Sequence, residues 1–332
     1  MTRADDDLLE TAIAHASMTL NLVVRSVRSV AADVISLELA DPDGAPLPDW
    51  SPGAHLDLRL PSGLVRSYSL HGDPDERDVY RVAVQRAADG RGGSVELHRV
   101  AAPGLALTVT GPRNAFALEP AAHYLFLAGG IGVTPLLPML RAVARSGRPW
   151  TFVYGARSRD AMAFTEELVA VAGGELRLVP QDETGLPDFV AEFASLPEQA
   201  AAYCCGPTPM LDAVLAAGAR IRPDVPIRLE RFAAPADNVS RTDDSAFDVV
   251  LARSGITVTV PPGTSILDAV RVAIPDVMSS CEQGICSACE TPVLDGVPDH
   301  RDSVLTPKER AANNYMMICV SRACTPRLTL DL

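Results

Sequence analysis

The sequence has no excess of positive charge: 29 Lys and Arg stand against 42 Asp and Glu, a formal net charge of −13. Nucleic acid is therefore not an expected partner, because phosphate binding draws on clustered cations that displace counterions. There is also no internal repeat and no low-complexity tract. With 47% hydrophobic and 21% charged residues, the composition excludes a disordered or collagen-like chain. No export signal is evident, since Asp5, Asp6 and Asp7 stand where a secretory leader would need a basic start and an apolar core; a cytoplasmic location is expected. One charge-free run, Pro120 to Leu140, is about as long as the ~20 apolar residues that cross a bilayer. Gly129, Gly130, Gly132, Pro135 and Pro138 interrupt it. It reads instead as a buried strand to Ala128, a glycine turn, and a helix from Thr134 with Pro135 at its first position, where a missing N–H costs nothing. No membrane partner is expected.

At 332 residues the chain has room for two or three domains of roughly 100–200 residues each. Residues 1–18 read as a frayed N-terminal extension, with one short amphipathic helix through Leu8, Leu9, Ala12 and Ile13 as the alternative. Residues 19–118 alternate short β-rich runs, such as Leu20 to Val30 and Leu105 to Thr110, with turn clusters such as Asp41-Pro42-Asp43-Gly44. That spacing predicts a small antiparallel β-barrel. Residues 119–233 alternate strands with helical stretches, which implies a parallel sheet with ligands at the carboxyl ends of its strands. Residues 234–246 are polar and proline-containing and read as a linker. The last domain, residues 247–332, opens with two strands, continues with a helix near Ser265, and contains a cysteine-rich loop.

Seven cysteines, four of them between Cys281 and Cys319, do not resemble the spread pairs of a secreted disulfide scaffold. Cys281-Glu-Gln-Gly-Ile-Cys286-Ser-Ala-Cys289, followed by Cys319, has the C-x4-C-x2-C…C spacing of plant-type 2Fe-2S ferredoxins. Three thiolates from one loop must wrap two irons, and Gly284, Ser287 and Ala288 let the backbone come close to the bridging sulfides. A four-cysteine zinc site would pair C-x2-C with a second C-x2-C. Cys324 reads as a bystander thiol.

Arg66-Ser67-Tyr68-Ser69-Leu70 falls on an expected barrel strand. An arginine, an aromatic face and hydroxyls along one strand can hold a phosphate, stack on a flat ring and bond its edge, though a plain surface strand reads the same way. Gly90-Arg91-Gly92-Gly93-Ser94 is a glycine-rich turn before a helix, a ready anion site or an ordinary turn. Gly130, Gly132, Thr134 and Pro135 lie in a strand-to-helix turn like a dinucleotide-binding loop, except that a Thr-Pro pair replaces the third glycine. Arg157 ends the next strand with a cation suited to a ribose or phosphate. Cys205, Gly206 and Pro207 end another. Cys204 and Cys205 must face opposite sides of that strand; Cys205 is the candidate for the crevice and Cys204 for the core.

The order of Arg66-Ser67-Tyr68-Ser69, Gly130-Ile131-Gly132-Val133-Thr134-Pro135, Cys205-Gly206-Pro207, Glu230-Arg231-Phe232 and the C-terminal cysteines resembles the phthalate dioxygenase reductase family, which includes the vanillate demethylase reductases. The resemblance spans residues 19 to 332. It implies a ferredoxin-reductase-like flavoprotein: an antiparallel flavin-binding barrel, an α/β NAD-binding domain, and an α+β, β-grasp 2Fe-2S domain. On that resemblance Arg66 and Ser94, with Gly92 and Gly93, hold the flavin phosphate, Tyr68 lies against the isoalloxazine, and Ser69 approaches its N5 edge. Gly130, Gly132, Thr134 and Pro135 line the NADH pyrophosphate turn, Cys205 lies near the nicotinamide, and Glu230 and Phe232 border the flavin. Cys281, Cys286, Cys289 and Cys319 bind the cluster.

The implied flavin is FMN and the implied partner an oxygenase; a monomer is the default expectation. NADH yields electrons in pairs and a 2Fe-2S cluster takes them singly, so the flavin between them is what the chemistry needs. Ser69, Cys205 and Glu230 are the candidate catalytic groups. Two rivals remain: an FAD-containing reductase of a cytochrome-type monooxygenase, and a metal-binding redox sensor without turnover. Arg157 and Arg159 leave NADPH open as the donor, because an arginine near the ribose can accept a 2′-phosphate.

Overall fold

A computed structural model describes residues 18–88, 90–233 and 244–332. Most of the N-terminal extension, with residues 8–13, and most of the linker lie outside them. Two compact units divide the chain between Glu230 and Arg231.

The first unit opens with β1 (Thr19–Ala31), β2 (Val34–Ala40), β3 (Ala54–Arg59), β4 (Val65–Ser69), β5 (Tyr80–Gln85) and β6 (Ala106–Asn114). Their order is β4-β3-β6-β1-β2-β5, antiparallel throughout. A bridge between Leu70 and Val82 joins the two edges and curls the sheet closed. The residues that fill it come in alternating pairs, Leu37 and Leu39, Leu56 and Leu58, Val82 and Val84, Leu107 and Val109, because side chains two apart on a strand share a face. β6 runs on past Thr110, where the pattern had placed its end, since Arg113 and Asn114 still pair with His55 and Ala54 of β3.

The same unit continues with β7 (His123–Gly129), β8 (Trp150–Ala156), β9 (Glu175–Pro180), β10 (Ala200–Cys205) and β11 (Ile227–Glu230), ordered β11-β10-β7-β8-β9 and all parallel. β7 sits centrally and is almost wholly apolar, as a parallel strand covered on both faces requires. The helix Val133–Arg145 covers one face with Leu136, Leu137 and Leu140; the helix Thr208–Ile221 covers the other with Leu211 and Val214. The first of these begins at Val133, so Pro135 is its third residue and not its first. The correction is small because the first four N–H groups of a helix have no partner within it. The chain passes from β7 to β8 on one side and places β10 on the other. The carboxyl ends of β7 and β10 thus flank a topological switch point.

The second unit holds β12 (Phe247–Leu251), β13 (Ile256–Val260), β14 (Glu290–Asp295), β15 (Pro298–Asp299), β16 (Tyr315–Met317), β17 (Arg322–Ala323) and β18 (Arg327–Leu330). A mixed sheet in the order β13-β12-β18-β14-β16 packs against the helix Ile266–Arg271 through Ile266, Leu267 and Val270. Ser265 caps that helix by accepting from Asp268 N at 3.0 Å. Among the described residues no helix is long and apolar enough to cross a membrane.

Candidate functional site

Arg66 on β4 lies against the N-terminus of the helix Gly93–Val100. Its guanidinium donates to Val65 O at 2.7 Å and to Arg91 O at 2.6 Å, and a Cβ on Gly93 would come within 2.6 Å of Arg66 Cγ. Gly92, at φ +81, turns the chain into the helix. Glu96 in the first turn accepts from Ser62 N at 2.9 Å and from Ser62 Oγ at 2.5 Å, tying the turn before β4 to this helix. Ser94 Oγ accepts from Ala87 N at 3.1 Å. An arginine crossing a glycine-rich helix start makes an anion corner.

Along β4 the side chains alternate in role. Ser67 Oγ donates to Asp57 Oδ1 at 2.6 Å, and Asp57 also pairs with Arg113, so Ser67 spends its hydroxyl within the barrel wall. Leu70 is fully buried in the barrel core and can offer a ligand only its backbone. Tyr68 packs on the barrel core, and burial pushes its hydroxyl well above the usual range. Ser69 Oγ reaches Glu230 Oε2 at 3.3 Å across 161 sequence positions.

Glu230 ends β11 in register with Cys205 at the end of β10, and Cys205 Sγ approaches Glu230 Oε2 at 3.9 Å. Burial raises the Glu230 carboxyl to about 8 against the bonds from Ser69 and Cys205, so it is largely protonated at neutral pH. Burial and the Glu230 charge push the Cys205 thiol up, which marks it as an unreactive thiol. Cys204 faces the opposite side, in the core under the helix Thr208–Ile221, as strand alternation requires. The structure thus brings Ser69, Cys205 and Glu230 together at three strand ends.

The turn Gly130–Gly132 is a single 3-10 turn into the helix Val133–Arg145. Gly132 is demanded by packing, because a Cβ there would lie 2.1 Å from Cys205 O. Thr134 Oγ1 donates to Ile131 O at 2.9 Å and closes the turn; Pro135 is buried behind it. Gly206 meets Gly129 closely, and Pro207 caps the next helix. Arg157 lies exposed beyond the end of β8, its carbonyl accepting from Asp182 N at 3.2 Å. Phe232 is exposed in the second unit.

The four motif cysteines are buried in the second unit. Their sulfurs pair, Cys281 with Cys286 and Cys289 with Cys319. The Cys286 contact, with N–H groups of the loop, lowers the Cys281 thiol to about 6, while the same pairing and burial push Cys286 up. Backbone donors aim inward, with Gln283 N 3.3 Å from Cys281 Sγ and Cys281 N 3.4 Å from Cys286 Sγ. The loop is pinned from outside, because Ser303 N donates to Gly284 O at 2.8 Å and the Asp302 carboxylate accepts from Val304 N and Leu305 N at 3.0 and 2.8 Å. Two thiol pairs in a nest of donors suit a binuclear centre, which takes two protein ligands at each iron. Cys324 lies exposed, outside this set.

Sequence reasoning missed His71. Its Nε2 lies 3.1 Å from Ser36 Oγ, its ring 4.4 Å from that of Phe164, and its carbonyl accepts from Arg141 at 3.2 Å. Arg141 also pairs with Glu167, and Arg145 with Asp73 at 3.1 Å. The contacts of His71 with Phe164 and Arg141, and of Arg145 with Asp73, seam the barrel to the parallel-sheet module. Burial, then the charges of Arg141 and Arg81, lower the His71 imidazole to about 3. A lone histidine after a strand carries no pattern that announces this.

Residues 126–216 match the oxidoreductase NAD-binding domain, and residues 249–324 match the 2Fe-2S iron-sulfur cluster binding domain. Phenoxybenzoate dioxygenase subunit beta of Ectopseudomonas oleovorans is 46% identical over 316 residues, covering 94% of this chain and 97% of that protein. The crystal structure of phthalate dioxygenase reductase superposes with a TM-score of 0.68 at 37% identity, over 95% of this chain and 98% of that one. The crystal structure of an intact type IV self-sufficient cytochrome P450 monooxygenase gives 0.88 at 43% identity; the match covers 95% of this chain and 41% of that longer one. Fold and sites define an NAD-linked flavin and iron-sulfur oxidoreductase. Within that class, the chain belongs to the phthalate dioxygenase reductase family of electron-transfer reductases, as the motif order had implied.

Proposed function

We propose that this chain oxidises NADH and passes the electrons, through FMN and a 2Fe-2S cluster held by Cys281, Cys286, Cys289 and Cys319, to a separate Rieske-type aromatic oxygenase or demethylase. The observation that carries the reading is the meeting of Ser69, Cys205 and Glu230, which sets the barrel strand with the anion corner beside the switch point of the parallel sheet. When bound, the flavin converts a two-electron donor into single electrons. Arg66, with Gly92, Gly93 and Ser94, holds its phosphate, and Tyr68 supports its ring. Ser69 presents a hydroxyl to the ring edge and is itself held by Glu230. Glu230, protonated, would put no negative charge beside the ring edge, and Cys205 would fill the space beside it without reacting. Gly130, Gly132, Thr134 and Pro135 present the helix start to the pyrophosphate of NADH, with Gly206, Pro207 and Arg157 around it. Phe232 joins this site in the proposal through the family resemblance.

FMN is favoured over FAD because no Phe, Tyr or Trp lies between Ser69 and Tyr80 to carry an adenine, and His71 is turned inward. A monomer in the cytoplasm, where thiolates stay reduced, completes the proposal. The test is the visible spectrum of the purified full chain before and after anaerobic NADH, with the released flavin identified by chromatography. Flavin bands and broad iron-sulfur absorbance, both bleached by NADH, are expected; a colourless protein that does not consume NADH would overturn the reading.

A second reading, a cytochrome-type monooxygenase as the acceptor, is favoured by the likeness to the self-sufficient P450 enzyme. Rapid-mixing reduction of a purified Rieske oxygenase against that of a purified P450 haem domain separates the two.

A further inference from the structure

Arg159, which left the choice of donor open in the sequence, lies at the edge where β8 and β9 end. This edge has a defined place in a doubly wound sheet. The pyrophosphate of a dinucleotide sits at the first strand-to-helix turn, here Gly130–Gly132, and the adenosine ribose reaches the carboxyl end of the next strand, here β8. An acidic residue there bonds a 2′-hydroxyl, whereas a nearby arginine accommodates a 2′-phosphate.

The structure does not leave Arg159 to play the second role. β9 runs directly into the short helix Gln181–Thr184, and Asp182 N donates to Arg157 O at 3.2 Å, tying the two strand ends together. That contact carries Glu183 onto Arg159. Nε donates to Oε1 at 2.8 Å and to Oε2 at 3.0 Å, and Nη2 donates to Oε2 at 2.8 Å. This is the fork-to-fork geometry by which a guanidinium would otherwise grip a phosphate. Both side chains are exposed, at 60% and 45%, so the pair adds little to the fold. Its consequence is electrostatic. The exposed acids Asp160, Asp182 and Glu183 outnumber Arg157 and Arg159 along this edge, and a dianionic phosphate would meet a neutralised arginine and a local excess of negative charge.

We infer that Glu183 is a specificity-determining residue that selects NADH over NADPH by occupying the Arg159 guanidinium and denying it to a 2′-phosphate. The inference rests on the proposal that the parallel sheet binds the nicotinamide dinucleotide. Discrimination comes from repulsion of the wrong donor more than from extra grip on the right one.

The experiment uses the full-length protein loaded with flavin and cluster, as wild type, Glu183→Gln, and Glu183→Gln with Arg159→Ala. Equilibrium binding of 2′,5′-ADP and 5′-AMP is measured by calorimetry, beside ferricyanide reduction with NADPH and NADH. Glu183→Gln is expected to tighten 2′,5′-ADP about tenfold and to lower the KM for NADPH by a similar factor. Binding of 5′-AMP and the KM for NADH stay within about threefold, and the gain disappears in the double variant and fades at high salt. Unchanged 2′,5′-ADP binding and an unchanged NADPH preference in Glu183→Gln, with NADH still oxidised, would overturn the inference alone. A gain that survives Arg159→Ala would overturn it as well. Wild-type protein that neither binds 5′-AMP nor oxidises either nucleotide would overturn the dinucleotide reading and this inference together.

Discussion

The cysteine loop of the second unit and the Ser69–Cys205–Glu230 junction of the first both bury polar groups, yet they are assembled in opposite ways. Three of the four cysteines fall within nine consecutive residues, and the donors that face them, Cys281 N and Gln283 N, belong to the same loop. The junction joins residues 161 positions apart and exists only because a barrel strand and two parallel strands end at one place. A local site survives as long as its loop keeps its shape; a junction also depends on everything that sets one module against the other. The Arg145–Asp73 pair and the bond from Arg141 to the carbonyl of the buried His71 are part of that dependence.

The sharpest way to break the comparison is Cys286→Ser. Reduction of a one-electron protein acceptor such as cytochrome c should fall by about a hundredfold or more, with loss of the iron-sulfur absorbance, while NADH-driven ferricyanide reduction stays within about twofold. An equal fall in both activities would mean that the two sites are not separable.

Next comes Gly132→Ala. Its Cβ would lie 2.1 Å from Cys205 O, so the first unit should lose roughly 3 kcal/mol by thermal or denaturant unfolding. Gly130→Ala meets nothing within 4 Å but keeps φ at +54 and should cost only about 1 kcal/mol. Equal costs would show that backbone conformation, and not the approach of β10, explains both glycines.

Glu230→Gln tests the junction itself. The Glu230 carboxyl stands at about 8 in the folded chain against an ordinary 4.5, so the stability it contributes is fully present below pH 4.5 and is lost as the pH rises through 8. Across that window the wild type should lose about 3–4 kcal/mol that the glutamine variant keeps. Flavin reduction by NADH should also slow in the wild type above pH 8, and a variant with the same pH profile as wild type would remove Glu230 from the site.

The counterpart on the acid side belongs to the seam. With its imidazole lowered from 6.5 to about 3, His71 favours the fold above pH 6.5, and that contribution is lost as the pH falls toward 3. His71→Gln should flatten this acid limb by about 3–4 kcal/mol in pH-dependent unfolding, whereas an identical limb would place the acid sensitivity elsewhere.

Much of this architecture is legible in the residues. The alternating Leu and Val pairs mark the barrel, the apolar β7 marks a central parallel strand, and the cysteine spacing marks its loop, because each is a periodicity or spacing within one segment. The ends are less legible: β6 outruns its pattern because β3 is there to pair with it, and Pro135 sits two residues deeper in its helix than its chemistry alone suggests. Ser67 and Leu70 lie in the same motif as Arg66 and Ser69 yet are spent within the barrel, since the partner each side chain meets is set by the neighbouring strands and not by the motif.

The sequence by itself determined the modules, their order and the chemistry each carries, because composition, period and motif spacing act over a few residues. Only the tertiary structure decided that Ser69, Cys205 and Glu230 meet, that His71 seams two modules, and that Arg159 is held by Glu183. Each of those contacts joins segments whose closeness is set by sheet order and strand ends, and no local pattern encodes the distance between them.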